Sequence, residues 1–159
     1  MNFSVGDCIA HPMHGAGVID RIEKRKINGA EKEYYVLKLP VGDMVVMIPR
    51  ENSTAVGVRP IVEAETAEKI INAIPQIAVD VEPNWNKRYR ENMLRIKSGD
   101  LLEVAAVVKG LMSRDSERGL STGERKMLHS AKQILISEIV LAKRASYEEV
   151  EAILDAAMI

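Results

Sequence analysis

Cysteine is nearly absent from this chain. Of its 159 residues only Cys8 carries a thiol, so no disulfide can close within it. That composition fits a reducing compartment, and a cytoplasmic location is the expectation. Aromatics are scarce too: one tryptophan, one phenylalanine and four tyrosines. Net charge is missing as well. Lys and Arg number 22 against 23 Asp and Glu, for a balance of -1, so global attraction to nucleic acid is excluded as a binding strategy. No uninterrupted apolar run reaches membrane-spanning length. The first residues lack the basic start and apolar core of a signal peptide.

Catalytic signatures are also wanting. Gly15-Ala16-Gly17 lacks the third glycine of a dinucleotide fingerprint and reads as a turn between strands. His11 and His14 flank Pro12 without further Cys or Asp ligands, so no metal site is expected. His129, beside Lys126 and Lys132, has a surface or helix-packing role as its default. Residues 115–119 are polar and charged and read as a loop rather than a carboxylate dyad. No activated nucleophile appears, and the expectation is a non-enzyme with no cofactor.

What is present falls into two parts. Up to about residue 50 the chain reads as short strands, at residues 5–10, 17–23, 33–39 and 44–49. Asn28-Gly29 is a hairpin turn signal, and Pro40 with Gly42-Asp43 turns the chain again. Such strands predict a small, strongly bent antiparallel barrel. Beyond residue 60 helical periodicity takes over. Ala67, Ile70, Ile71 and Ile74 form one stripe that Pro75 stops. A second helix spans about residues 84–99, and a third, apolar nearly all round, about 101–112. Ser121 with Glu124, and Ser146 with Glu149, have capping-box spacing and open two more. The prediction is an α+β chain: a barrel over 1–52, a linker over 53–60 and a helical bundle over 61–159.

The lone tryptophan stands in a cationic cluster. From Trp85 to Lys97 the basic residues are Lys87, Arg88, Arg90, Arg95 and Lys97, against Glu91 alone. Cations hold phosphates, and a flat apolar ring can stack on bases or wedge between them. The competing reading is plain packing. Trp85, Tyr89, Met93 and Ile96 share one side of the helix, and tryptophans are usually largely buried. A ring in the first turn, just after Pro83, projects past a bundle more easily than one at mid-helix. In the first part, Arg21, Lys24, Arg25 and Lys26 lie at strand ends. They fit either a sheet edge that accepts a partner or guards against aggregation.

Many short motifs occur in a specific order: Val5-Gly6-Asp7, His11-Pro12, His14-Gly15, Lys32-Glu33-Tyr34, and Pro49 with Glu51-Asn52. Asn84-Trp85, Arg88-Tyr89, Ser98-Gly99-Asp100, Arg114-Asp115, residues 117–121 and Glu124 follow. Over essentially its whole length the chain resembles the CarD/CdnL family of bacterial transcription regulators. The resemblance implies an SH3-like, Tudor-like barrel that binds the β subunit of RNA polymerase. It implies a helical domain that meets promoter DNA, without sequence preference, at the upstream edge of the transcription bubble. There the residue matching Trp85 is a minor-groove wedge, and Lys87, Arg88, Arg90, Arg125 and Lys126 are the implied DNA contacts. Arg25 and Met47 fall at the implied polymerase contacts. Family members often carry a basic residue at the position of Met47, so the interface here is more apolar, or leans on Arg25 and backbone pairing. Lys87 stands where arginine is also common; it keeps a charge but not a planar fork.

The expected function is thus a monomeric, polymerase-bound stabiliser of open promoter complexes, nucleoid-associated through the polymerase. The alternative is a protein–protein adaptor whose helices bind a second protein, with Trp85 in the core. An RNA- or ribosome-associated barrel protein ranks below both.

Overall fold

Residues 2–42, 44–79 and 82–159 are described by the computed structural model; Asp43 of the expected turn lies outside them. Alternating side chains and tight turns build an antiparallel sheet from β1 (Cys8–His11), β2 (Gly15–Ile27), β3 (Ala30–Lys38), β4 (Val45–Pro49) and β5 (Arg59–Pro60), in the order β4-β3-β2-β1-β5. β2 is longer than its apolar pattern indicates because pairing with β3 carries it out to Ile27. A bulge between Ile19 and Arg21 bends it, so one strand serves β1 with residues 15–18 and β3 from Val18 to Ile27. The first expected strand starts late: Gly6, at φ +94°, is a turn residue, and pairing begins only at Cys8. Phe3, Ile9, Ile19, Tyr35, Leu37 and Ile48 fill the inner face.

The segment 53–60, expected to link two domains, is built into the barrel. Val58 is buried in the barrel core, and Arg59–Pro60 pairs with β1 as an edge strand.

The helices are α1 (Ala64–Ala73), α2 (Trp85–Lys97), α3 (Leu101–Arg118), α4 (Thr122–Lys143) and α5 (Tyr147–Ala157). The stripe through Ala67, Ile70 and Ile71 is buried, and Pro75 turns the chain into a short 3-10 segment as its ring forbids further α-helix. Ser121 and Ser146 cap α4 and α5 by accepting from the amides of Glu124 and Glu149. Residues 115–118 are helical, not a loop. Polar residues continue α3 on its exposed side until Gly119, at φ +78°, ends it. α3 and α4 pack through Val104, Val108, Leu111, Ala131, Leu135 and Ile139 into a second core, separate from that of the barrel.

The two cores meet where α4 lies against β2. The Ala16 amide donates to Ser137 Oγ at 2.9 Å. Gly15, at φ +91°, allows this approach: a Cβ there would sit 2.7 Å from Ser137 Oγ. Beside it the carboxylate of Glu138, 1% exposed, takes a two-pronged bond from Arg59 at 2.7 and 2.9 Å and accepts from the Val62 amide at 2.9 Å.

Candidate nucleic-acid interface

Asn84 starts α2 by accepting from the Lys87 amide at 3.0 Å, which puts Trp85 at the first helical position. Tyr89, one turn on, stacks on the indole with ring centroids 5.0 Å apart and planes 16° from parallel. Trp85 Nε1 donates to Ser121 Oγ at 2.9 Å. Gly123 lies under the ring pair, and an added Cβ there would sit in ordinary contact with it, 3.6 Å from Trp85 and 3.8 Å from Tyr89. The ring is therefore held on one face and at its polar edge, yet Trp85 remains 41% exposed. It is not the core residue that plain helical packing predicted.

Ser121 belongs to two structures at once. It caps α4, accepting from the Glu124 amide at 3.2 Å, and receives the indole N–H. The first turns of α2 and α4 thus converge on one spot. Their positive dipole ends meet there, and the first turn of α2 carries no acid.

Behind the ring, Arg88 does what the sequence reading did not foresee. Expected among the phosphate contacts, it is only 9% exposed and engaged on every side. Nε and Nη2 bind the Glu124 carboxylate at 2.7 and 3.0 Å, while Nη1 donates to the carbonyls of Glu82 and Pro83 at 2.9 and 3.4 Å. Four of the five guanidinium N–H donors are thus used inside the protein, which leaves at most one for a phosphate. The work of Arg88 is to clamp α2 to α4 beneath Trp85. Glu124, 1% exposed, is held below the usual carboxylate range, first by the bond from Arg88 and against the opposing effect of burial. Arg88 is raised by the same bond. At 100° per residue Arg88 sits roughly 60° from Trp85 on the side away from Tyr89 and Met93, so the apolar stripe gave no signal for its burial. The Glu124 half of the pair is 36 residues away and had no local signal.

The other expected contacts lie on the same two helices. Lys87 is exposed, with Glu82 at 3.3 Å and Glu91 at 4.0 Å. Glu82 is held below the usual carboxylate range, first by the Asn84 amide and then by Lys87 and Arg88, despite opposing desolvation. Arg90 and Lys126 are exposed, and Arg125 reaches the Leu120 carbonyl at 3.5 Å and Asp115 at 3.9 Å. Pairs of this kind at a surface are weak and give way to a phosphate at little cost. Lys87, Arg90, Arg125 and Lys126 are thus exposed cations on the two helices that hold the ring.

Arg25 and Met47 lie on the outer face of the sheet. Met47 pairs with Val36, which pairs with Arg21, and Arg25 stands further along the same face opposite Lys32. Arg25 is exposed, with Glu23 at 3.3 Å. β4 is an edge strand, and Met44 and Val45 at its start are exposed. The His11 and His14 rings lie 4.5 Å apart, tilted by 41°, and among the described residues no group of three or more potential metal ligands forms. No helix among the described residues is long and apolar enough to cross a membrane.

Residues 3–62 match the CarD-like/TRCF RID domain, and residues 69–155 match the CarD C-terminal domain. The chain is also similar to YdeB of Bacillus subtilis (strain 168), with 33% identity over 150 residues, covering 94% of this chain and 98% of that one. Both halves of the fold and nearly the whole length agree: the chain belongs to the CarD family of transcription regulators.

Proposed function

We propose that this protein docks on the β subunit of RNA polymerase through its barrel and stabilises the open promoter complex with Trp85. The single observation that carries the reading is the half-exposed indole, fixed by Tyr89 and Ser121 at the meeting point of two helix N-termini. A wedge needs an apolar ring that is available to DNA and does not fold away when DNA is absent.

The anchor is the outer sheet face around Arg25 and Met47, with the free edge of β4 open to strand addition. The wedge enters the minor groove at the upstream edge of the bubble. Lys87, Arg90, Arg125 and Lys126 hold the phosphates, and Arg88 positions the ring from behind. With a net charge of -1 the free protein binds DNA weakly, and the polymerase supplies the effective concentration. Inserting a ring into intact duplex costs a few kcal/mol of unstacking, and much less where the strands already part. Trp85 therefore favours the melted state, and about 1.4 kcal/mol of preference shifts the closed-to-open ratio tenfold. The protein acts as a monomer in the cytoplasm, held at the nucleoid through the polymerase.

The test is open-complex lifetime on a labelled promoter with the cognate polymerase, comparing the native protein with Trp85→Ala. The expected result is a lengthened lifetime that the substitution abolishes while the fold persists. No lengthening by the folded native protein would refute the reading.

A further inference from the structure

The barrel and the wedge are joined through α4, and both ends of that connection are built. At its N-terminus α4 holds the ring: Ser121 binds the indole N–H and Glu124 clamps Arg88. Four turns on, Ser137 and Glu138 hold the barrel. Glu138 binds Arg59 of β5 and the Val62 amide, and Ser137 accepts from Ala16 of β2. Arg59 also donates from Nε and Nη2 to the Gly99 carbonyl, at 3.1 and 2.8 Å, in the turn between α2 and α3. One buried carboxylate and one guanidinium therefore tie together β5, the start of the helical domain, the end of α2 and the middle of α4.

The apolar core of the helical domain is separate from that of the barrel, and the pair belongs to neither. What the pair does is set direction. A two-pronged Arg–carboxylate bond is planar and angle-specific, and burying it leaves few alternative geometries. We infer that Arg59 and Glu138 are positioning residues: they make α4 a rigid strut that carries the orientation of the polymerase-bound barrel to Trp85.

The geometry shows why rigidity matters. From Ser137 to Ser121 is about 24 Å at 1.5 Å per residue. A swivel of about 10° at the barrel end would move the ring by about 4 Å, more than the ~3.4 Å that separates successive bases along a strand. A joint that loose would carry the ring past more than one base step, and the effective concentration at the fork would fall accordingly. The inference rests on the wedge reading above, but its structural half is measurable without DNA.

The experiment uses the full chain with Glu138→Gln and, separately, Arg59→Met with Glu138→Met, which removes the pair without leaving a buried charge alone. Spin labels at Lys26→Cys and Ser130→Cys, in a Cys8→Ser background, report the distance between barrel and bundle. Open-complex lifetime, polymerase affinity and acrylamide quenching of Trp85 are measured on the same variants without labels. The expected result is a narrow distance distribution that broadens in both variants, with polymerase affinity and Trp85 quenching unchanged and lifetime extension reduced about tenfold or more. A distribution that stays narrow overturns the inference. So does a broadened one with native lifetime extension. If neither variant folds, the pair is a stability element and the inference also falls. If the native protein itself gives no extension, the wedge reading fails, and the distance measurement alone still decides whether the pair locks the domains.

Discussion

Replacing Arg88 with methionine should destabilise the protein more than any change to an exposed cation around Trp85. The substitution leaves the Glu124 carboxylate, 1% exposed, without the guanidinium that binds both its oxygens. Ser121 Oγ at 3.3 Å is then its nearest remaining donor. Breaking a buried pair by removing one partner costs about 3–5 kcal/mol. For a chain of this size that is a fall in Tm of about 10 °C. Removing both partners, with Arg88→Met and Glu124→Met together, should recover most of the loss, because no charge is left buried alone. The pH dependence provides an independent check. Glu124 has a folded pKa below its unfolded value, so its contribution is complete above the ordinary carboxylate range near 4.3 and is lost as pH falls through the depressed folded value. The gap between native protein and Arg88→Met should therefore be wide at pH 7 and close in acid, where Glu124 is neutral. The assay is thermal and urea unfolding followed by far-ultraviolet circular dichroism between pH 3 and 7. A loss under about 1 kcal/mol at pH 7, with weakened DNA contact and a shallower salt dependence, would return Arg88 to the phosphate-binding group and refute the clamp.

Lys109 is 8% exposed and donates to the carbonyls of Ile74, Pro75 and Ile77 at 2.9, 3.2 and 2.8 Å. Lys109→Met should cost about 2–4 kcal/mol by taking the ammonium from the Pro75 and Ile77 carbonyls, while Ile74 keeps the Ile77 amide at 3.1 Å, and is read as a lower urea midpoint; a change under about 0.5 kcal/mol would contradict the assignment. Gly17→Ala would place a methyl 2.6 Å from the Lys38 carbonyl oxygen on the neighbouring strand. That backbone cannot retreat without breaking the ladder, so a loss of about 2 kcal/mol or more in thermal unfolding is expected, and native stability would show the strands to be further apart. His11 has its pKa lowered, first by burial and then by His14, and its Nδ1 accepts from the Met13 amide at 3.0 Å. The unfolded chain takes up that proton near pH 6.5 and the folded chain only lower, so stability falls as pH drops below about 6.5 and levels off at the folded value. His11→Gln should flatten this segment of the Tm–pH curve, and an unchanged slope would assign it to another group.

Much of the fold was legible locally. Capping spacings announced α4 and α5, Pro75 marked the end of the first apolar stripe, and Asn28-Gly29 marked the β2–β3 hairpin. These signals act between residues a few positions apart, where backbone sterics and one hydrogen bond decide the outcome. The same local information placed Trp85 in a first helical turn among cations, which is why the candidate site could be named at all.

The partners of charged residues were not legible, since no local rule links positions 36 or 79 residues apart. Arg88 read as one more cation of a basic face; only the approach of α4 brought Glu124 to its fork and buried both. Segment 53–60 read as a linker for its glycine and polar residues; only an open edge at β1 turned Arg59–Pro60 into a strand and Val58 into core. By itself the sequence determined most of the helices and strands and the chemical character of the surface near Trp85. Tertiary structure decided which cations are free, how the indole is held and how the two cores are locked, because burial and long-range hydrogen bonding arise only when distant segments share one volume.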